Sequence, residues 1–216
     1  ANNYDADRLM DGLGKHFRSS EVSLKPWPCC RITHGYIEAT GDIIRKNALS
    51  LAKISKILFE VSEGTRDSFC EPQDIKKAPK LSIQAKFSLF FPVALSLIKK
   101  PEISDFLEEN LSRPEVLQIT DKMEYRINKK LGYQAAISPA IVEIQTVDGK
   151  LFNKRIDTVY GHPDNPLSRL DAIHKFKDCM KYSRNKISDS NVNDLAETIL
   201  HLDEKSDLSS LSILLP

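Results

Sequence analysis

The sequence predicts an α+β fold: a mixed or antiparallel sheet with one hairpin, packed by helices and followed by C-terminal helices. Three observations predict it. Strand-like segments are few and do not alternate with helices as a doubly wound parallel sheet requires. Asp148-Gly149 lies between two runs rich in β-branched residues, a strong short-range hairpin signal. From Leu167 onward the apolar spacing is helical.

Residues 4–16 carry a weak helical pattern broken by Gly12 and Gly14. Residues 21–25 alternate like a short strand, and Pro26 and Pro28 then hold the backbone extended. Thr33 can cap a helix that opens at His34, with Ile37, Gly41 and Ile44 along one face. Ile54 to Val61 is β-branched and aromatic, and reads as a strand. The polar stretch 63–80 holds Pro72 and Pro79 and reads as a long loop of the kind that carries function. Residues 82–99 are apolar on most sides and read as one buried helix that Pro92 starts or kinks and Pro101 ends. Short helices are expected over 103–111 and 114–120, with Pro114 at a favoured first-turn position. Residues 122–128 resemble a strand, and 140–147 with 151–159 form the hairpin. Residues 161–166 are a shaped loop, and helices are expected over 167–182, 190–202 and 207–214.

The chain has 216 residues, 41% hydrophobic and 28% charged, as soluble globular proteins do. Thirty-one Lys and Arg against thirty Asp and Glu leave a formal charge of +1. That lacks the basic excess of a nucleic-acid binder. No apolar run reaches the roughly 18 residues of a membrane span, and the polar residues 1–8 are unlike a signal peptide. Ala1 in place of Met raises the expectation of a processed or truncated chain. The four cysteines show neither C-x-x-C nor paired Cys/His spacing. We therefore expect no metal site, reduced thiols and a cytoplasmic setting.

The densest chemistry is Lys25-Pro26-Trp27-Pro28-Cys29-Cys30-Arg31, followed by Thr33 and His34. Two prolines stiffen the stretch. A helix amino terminus favours anions and disfavours a protonated His34. These residues make a carboxylate- or phosphate-binding corner. They equally fit a rigid turn whose Trp27 and cysteines pack inward while Lys25 and Arg31 face solvent. Lys86, within Ala85-Lys86-Phe87-Ser88, enters an apolar helix, where a snorkelling lysine is ordinary. His162 reads as a surface residue and Lys175-Phe176 as ordinary amphipathy. Cys30 and His34 do not read as a nucleophile pair, because Thr33 as cap leaves Cys30 outside the helix. No G-x-S-x-G, H-E-x-x-H, P-loop or dinucleotide fingerprint occurs.

Four of these stretches, taken in order, resemble the C-terminal part of the MmgE/PrpD family. They are Lys25-Pro-Trp-Pro-Cys-Cys-Arg with His34, then Ala85-Lys86-Phe87-Ser88, then Thr146-Val-Asp-Gly149. Last comes Gly161-x-Pro163-x-Asn-Pro166-Leu-Ser168 with Lys175-Phe176 beyond it. The resemblance runs from about residue 17 to the end. It implies a connecting segment at 1–16, an α+β lid domain at 17–165, and helices at 166–216 that return to an all-helical domain lying outside this chain. It further implies a cofactor-independent lyase or isomerase, of the kind that dehydrates 2-methylcitrate, acting on small di- or tricarboxylates. Lys25 would be catalytic; Arg31, His34, Cys30 and Lys86 would bind substrate. The general base would lie in the helical half, so this chain alone would be inactive. The implied partners are the polycarboxylate, that helical half and a second copy in a homodimer, with no nucleic acid and no membrane. Apolar surface would be exposed where the helical half docks, chiefly on Leu195, Ile199, Leu208, Leu211 and Leu214. Cys30 falls where cis-aconitate decarboxylase has His, and Phe91 where it has Tyr. Both departures count against decarboxylation of cis-aconitate and leave dehydration, epimerisation or another reaction on a related acid; both also fit a second possibility, a lid-derived interaction or regulatory module without catalysis.

Overall fold

In the computed structural model, residues 5, 8, 10–131, 139–184, 186–207, 209 and 211 are described. A four-stranded mixed sheet has the order β2-β1-β3-β4. Its strands are β1 (Ile54–Val61), β2 (Met123–Ile127), β3 (Ala140–Thr146) and β4 (Leu151–Ile156). β1 runs parallel to β2 and antiparallel to β3, and β3–β4 is the expected hairpin. Gly149 turns that hairpin with φ +82°, the left-handed conformation glycine adopts at little cost.

Alternation gives the sheet one dry face. Ile57, Phe59 and Val61 of β1, and Val142 and Ile144 of β3, are buried. Lys56 pairs with Glu124 and Arg126 with Glu60 on the other face. A register shift between Ile54 and Lys56 lets Ile54 and Ile57 face the same core although they are three apart.

Helix α1 (Arg31–Lys46) lies on β3 and β4 and buries Tyr36, Ile37, Ala39, Thr40 and Ile43. Gly35 allows the close approach: a Cβ there would come within 2.7 Å of the Ala140 Cβ. The crossover from β1 to β2 carries α2 (Gln73–Lys77), α3 (Ser82–Lys86), α4 (Phe90–Ser96) and α5 (Pro114–Asp121). Aromatic contacts tie α1, β1 and α4 together, with Tyr36 edge-on to Phe59 at 5.5 Å and Phe59 tilted against Phe90 at 6.2 Å. Two C-terminal helices follow, α6 (Arg169–Met180) and α7 (Asp189–Leu200), each capped by a serine hydroxyl, Ser168 and Ser188. Among the described residues no helix is long and apolar enough to cross a membrane.

Several expectations are corrected. Helix α1 opens at Arg31 with Cys30 as its N-cap, so Thr33 is inside the helix. The stretch 82–99 is two helices, because the Ser88 hydroxyl accepts from the Phe90 and Phe91 N–H groups and restarts the chain there. Pro92 falls in the first turn of α4, where its missing N–H costs nothing. The stretch 63–80 is no open loop: it contains helical turns at Glu63–Thr65 and Arg66–Cys70 before α2. Residues 103–110 form two 3₁₀ turns in place of one helix. Residues 21–25 pair with no strand. Leu195 is buried, whereas Ile199, Leu200 and Leu202 are exposed. Leu208 and Leu214 lie outside the described residues, as do most of 207–214 and part of 4–16.

Candidate anion-binding corner

Three backbone hydrogen bonds build the corner at residues 24–34. The Leu24 N–H donates to the Gly161 carbonyl at 2.8 Å, and Cys29 closes a turn on the Trp27 carbonyl at 2.9 Å. The Cys30 N–H donates to the Lys86 carbonyl at 2.9 Å, which fixes where α1 begins. Gly161, with φ +94°, is forced by this packing, since a Cβ there would lie 2.0 Å from the Leu24 carbonyl oxygen. The loop that carries Gly161 is held in turn by Glu38 of α1, which accepts from the Tyr160 N–H at 2.8 Å. Pro26 and Pro28 do the rest by restricting the backbone between these anchors.

Beneath the corner lies His34, 1% exposed and edge-on to Trp27 at 5.1 Å. Neither ring nitrogen has a hydrogen bond of good geometry, although the Cys29 backbone works toward protonation and is second only to burial among the influences on the ring. Burial, and then the positive charges of Lys25, Arg31 and Lys175, push its pKa down to about 3. His34 is therefore neutral, and chiefly for want of solvent; the helix dipole invoked from sequence is not needed. The remaining side chains are closely packed. Cys29 is buried against the Thr33 hydroxyl at 3.2 Å, and burial pushes its thiol up to about 12.

The other candidates divide. Lys25 is exposed and Arg31 half-buried, and both lie within electrostatic reach of the His34 ring. Cys30 is half-buried at the N-cap and makes no capping bond through its thiol. Lys86 takes part through its backbone carbonyl, as above. Phe91 is fully buried in the core against Phe106, at 6.0 Å. A residue the sequence reading passed over is Lys175 of α6, which, like Lys25 and Arg31, lies within electrostatic reach of His34. Only its place in the Lys175-Phe176 pair pointed to it. Among the described residues no carboxylate forms an ion pair with Lys25, Arg31, Lys86 or Lys175, while neighbouring cations such as Lys100 and Lys181 are paired. Nor do three His, Cys, Asp or Glu side chains gather there as a metal site requires.

A cleft of about 510 Å³ adjoins the corner, lined by Pro26, Trp27, Glu38, Lys100, Tyr160 and Asp171 among others. Neither Lys25 nor Arg31 lines it. Its acids are already satisfied: Asp171 accepts from Lys100 at 2.6 Å and from the Tyr160 hydroxyl at 2.6 Å. Those bonds hold the Asp171 carboxyl well below the usual carboxylate range.

The arrangement thus sets three cations within electrostatic reach of a buried, neutral imidazole. It holds no good general base, since an imidazole with so low a pKa is a weak one and the other groups are cations or a thiol.

Comparison with known sequences bears on the family of the chain and not on the corner. A model of the MmgE/PrpD C-terminal domain matches residues 27–201. A protein of Aspergillus terreus (strain NIH 2624 / FGSC A1156) named cis-aconitate decarboxylase is 23% identical across 98% of this chain. A human protein of the same name is 28% identical across 52% of it. The chain spans 44% of the length of the former and 23% of the latter.

Proposed function

The chain belongs to the MmgE/PrpD family, and on that premise we propose that it is the lid-side part of a lyase or isomerase acting on small di- or tricarboxylates. The observation that carries this is the unpaired positive cluster of Lys25, Arg31 and Lys175 around His34. Removing a proton beside a carboxylate builds negative charge onto that carboxylate. A fixed cation aimed at it stabilises the transition state more than the ground state. Lys25, held by the Gly161 loop, takes this role. Arg31 suits the binding of a carboxylate because its planar fork matches one bidentately. We place the base outside this chain, since the described groups of the corner are cations, a thiol and an imidazole of low pKa. The relatives named cis-aconitate decarboxylase fit a carboxylate substrate of this size.

A second reading has one observation behind it. Phe91 lies wholly in the core, so nothing at that position reaches a ligand, as a binding module without catalysis would permit.

The test is a titration with citrate, cis-aconitate and 2-methylcitrate, read from the fluorescence of Trp27, the chain's one tryptophan. A saturable change that Lys25→Met abolishes is expected. No change in the unaltered chain at millimolar ligand would refute the assignment. Turnover by the isolated chain would refute the placement of the base.

A further inference from the structure

We infer that the apolar groove between the start of β1, the end of α4 and helix α5 binds a medium-chain alkyl monocarboxylate, with Lys122 holding the carboxylate. The inference is independent of the proposed function, because no residue of the corner at 24–34 lines the groove.

The groove encloses about 420 Å³, a volume typical of small-molecule sites. Apart from Glu115, Gln118 and Lys122 its lining is aliphatic. Ile54 and Ile57 make the floor. Both are buried, and the register shift between Ile54 and Lys56 turns them to one side. Leu51, Leu97 and Ile119 are half-buried beside them, and Ile98, 42% exposed, stands at the mouth. An alkyl chain laid on these side chains removes their apolar surface from water, and its own.

A wholly apolar hollow would accept any hydrocarbon; Lys122 gives this one a sign. Lys122 is the C-cap of α5 and is pinned through both backbone and side chain. Its carbonyl accepts from the Ile57 N–H at 2.9 Å. Its ammonium donates to the Ile54 carbonyl at 2.8 Å and to the Leu51 carbonyl at 3.3 Å. An ammonium has three donors, so one is left over. Lys122 is half-buried, and no carboxylate among the described residues pairs with it. The acid in the lining, Glu115, is exposed and stands two helical turns earlier, about 10 Å along the axis. At that separation its repulsion of an anion at Lys122 is largely screened. The ligand class follows. One carboxylate answers the ammonium and one alkyl chain covers the isoleucines. A second carboxylate would be forced against aliphatic walls that cannot pair it. No aromatic side chain is among the described lining residues, so nothing there favours a flat ring by stacking.

Calorimetric titration of the full chain with butanoate, hexanoate, octanoate and octanol tests this, with circular dichroism to confirm folding. Each added methylene should tighten binding by about threefold to fourfold. Octanoate should bind about tenfold more tightly than octanol, through one charge-assisted contact. Lys122→Met should bring octanoate down to the affinity of octanol and leave octanol unchanged. Ile98→Glu, at an exposed position, should weaken both by about tenfold, and it decides the matter if Lys122→Met does not fold. Absence of saturable octanoate binding would overturn the inference, as would octanol binding as tightly as octanoate. Octanoate affinity unchanged in a folded Lys122→Met removes the role of the ammonium, and affinity unchanged in Ile98→Glu puts the binding elsewhere; either result sinks the assignment. A dimer in sedimentation that octanoate leaves intact would give the groove to a second copy of the chain and refute it too.

Discussion

Replacing Gly161 by alanine separates the corner from its support, and a second glycine provides the control. At Gly161 φ is +94°, and an added Cβ would stand 2.0 Å from the Leu24 carbonyl oxygen. The left-handed conformation alone costs an alanine about 1–2 kcal/mol. The contact is with backbone, so no rotamer relieves it. The Leu24 segment must withdraw by about 1.5 Å to reach ordinary van der Waals distance. Withdrawal breaks the Leu24–Gly161 hydrogen bond, a further loss of about 1 kcal/mol. Gly149 has a similar φ, +82°, but open space around it, so Gly149→Ala bears only the conformational cost. Denaturant unfolding should therefore show Gly161→Ala less stable than Gly149→Ala by about 1 kcal/mol or more. Citrate binding should weaken in Gly161→Ala alone, because Lys25 follows Leu24. Equal stability of the two variants, with equal citrate affinity, would refute the claim that the 161–166 loop positions Lys25.

Two other expectations follow from the buried groups. Ellman's reagent at pH 8 should modify two of the four thiols in the native chain. These are the exposed Cys179 and the half-buried Cys30, because burial pushes Cys29 and Cys70 up to about 12 and leaves them little thiolate. Rapid modification of all four without denaturant would show the corner to be open. His34 should make the protein sensitive to mild acid. Its native pKa, about 3, lies below the unfolded value near 6.5, so between these the unfolded chain takes a proton that the native chain refuses. Its contribution is complete above pH 6.5 and declines on acidification by about 1.4 kcal/mol per pH unit. Stability measured from pH 6.5 to 4.5 should fall more steeply in the unaltered chain than in His34→Phe, and parallel curves would contradict this.

Local signals carried much of this fold. β1, the Asp148-Gly149 hairpin and the stiff corner were legible because each depends on residues adjacent in sequence. What was not legible depends on partners far along the chain. The start of α1 is set by Cys30 donating to Lys86, so Thr33, a good cap by type, is overruled. The break between α3 and α4 comes from Ser88, whose hydroxyl also donates to the Lys76 carbonyl twelve residues earlier. The polar stretch after β1 is folded by Lys76, whose ammonium donates to the Ser68 and Phe87 carbonyls. Burial of His34 is a tertiary fact with no periodicity to announce it. In sequence, Lys175 is one amphipathic lysine among several.

The three cations near His34 share their lack of an ion pair with others among the described residues, such as Lys46, Lys53 and Lys177. The chain has nearly as many acids as bases, and it pairs part of them. Buried Asp105 is flanked by both Arg113 and Lys99, and Asp42 serves both Arg45 and Lys154. A fold under selection for stability alone has acids available to answer Lys25, Arg31 and Lys175, and their mutual repulsion gives it reason to do so. Leaving them unanswered near an imidazole that their charge helps to hold neutral works against the stability of the empty chain. Under the proposed function a bound anion offsets that cost.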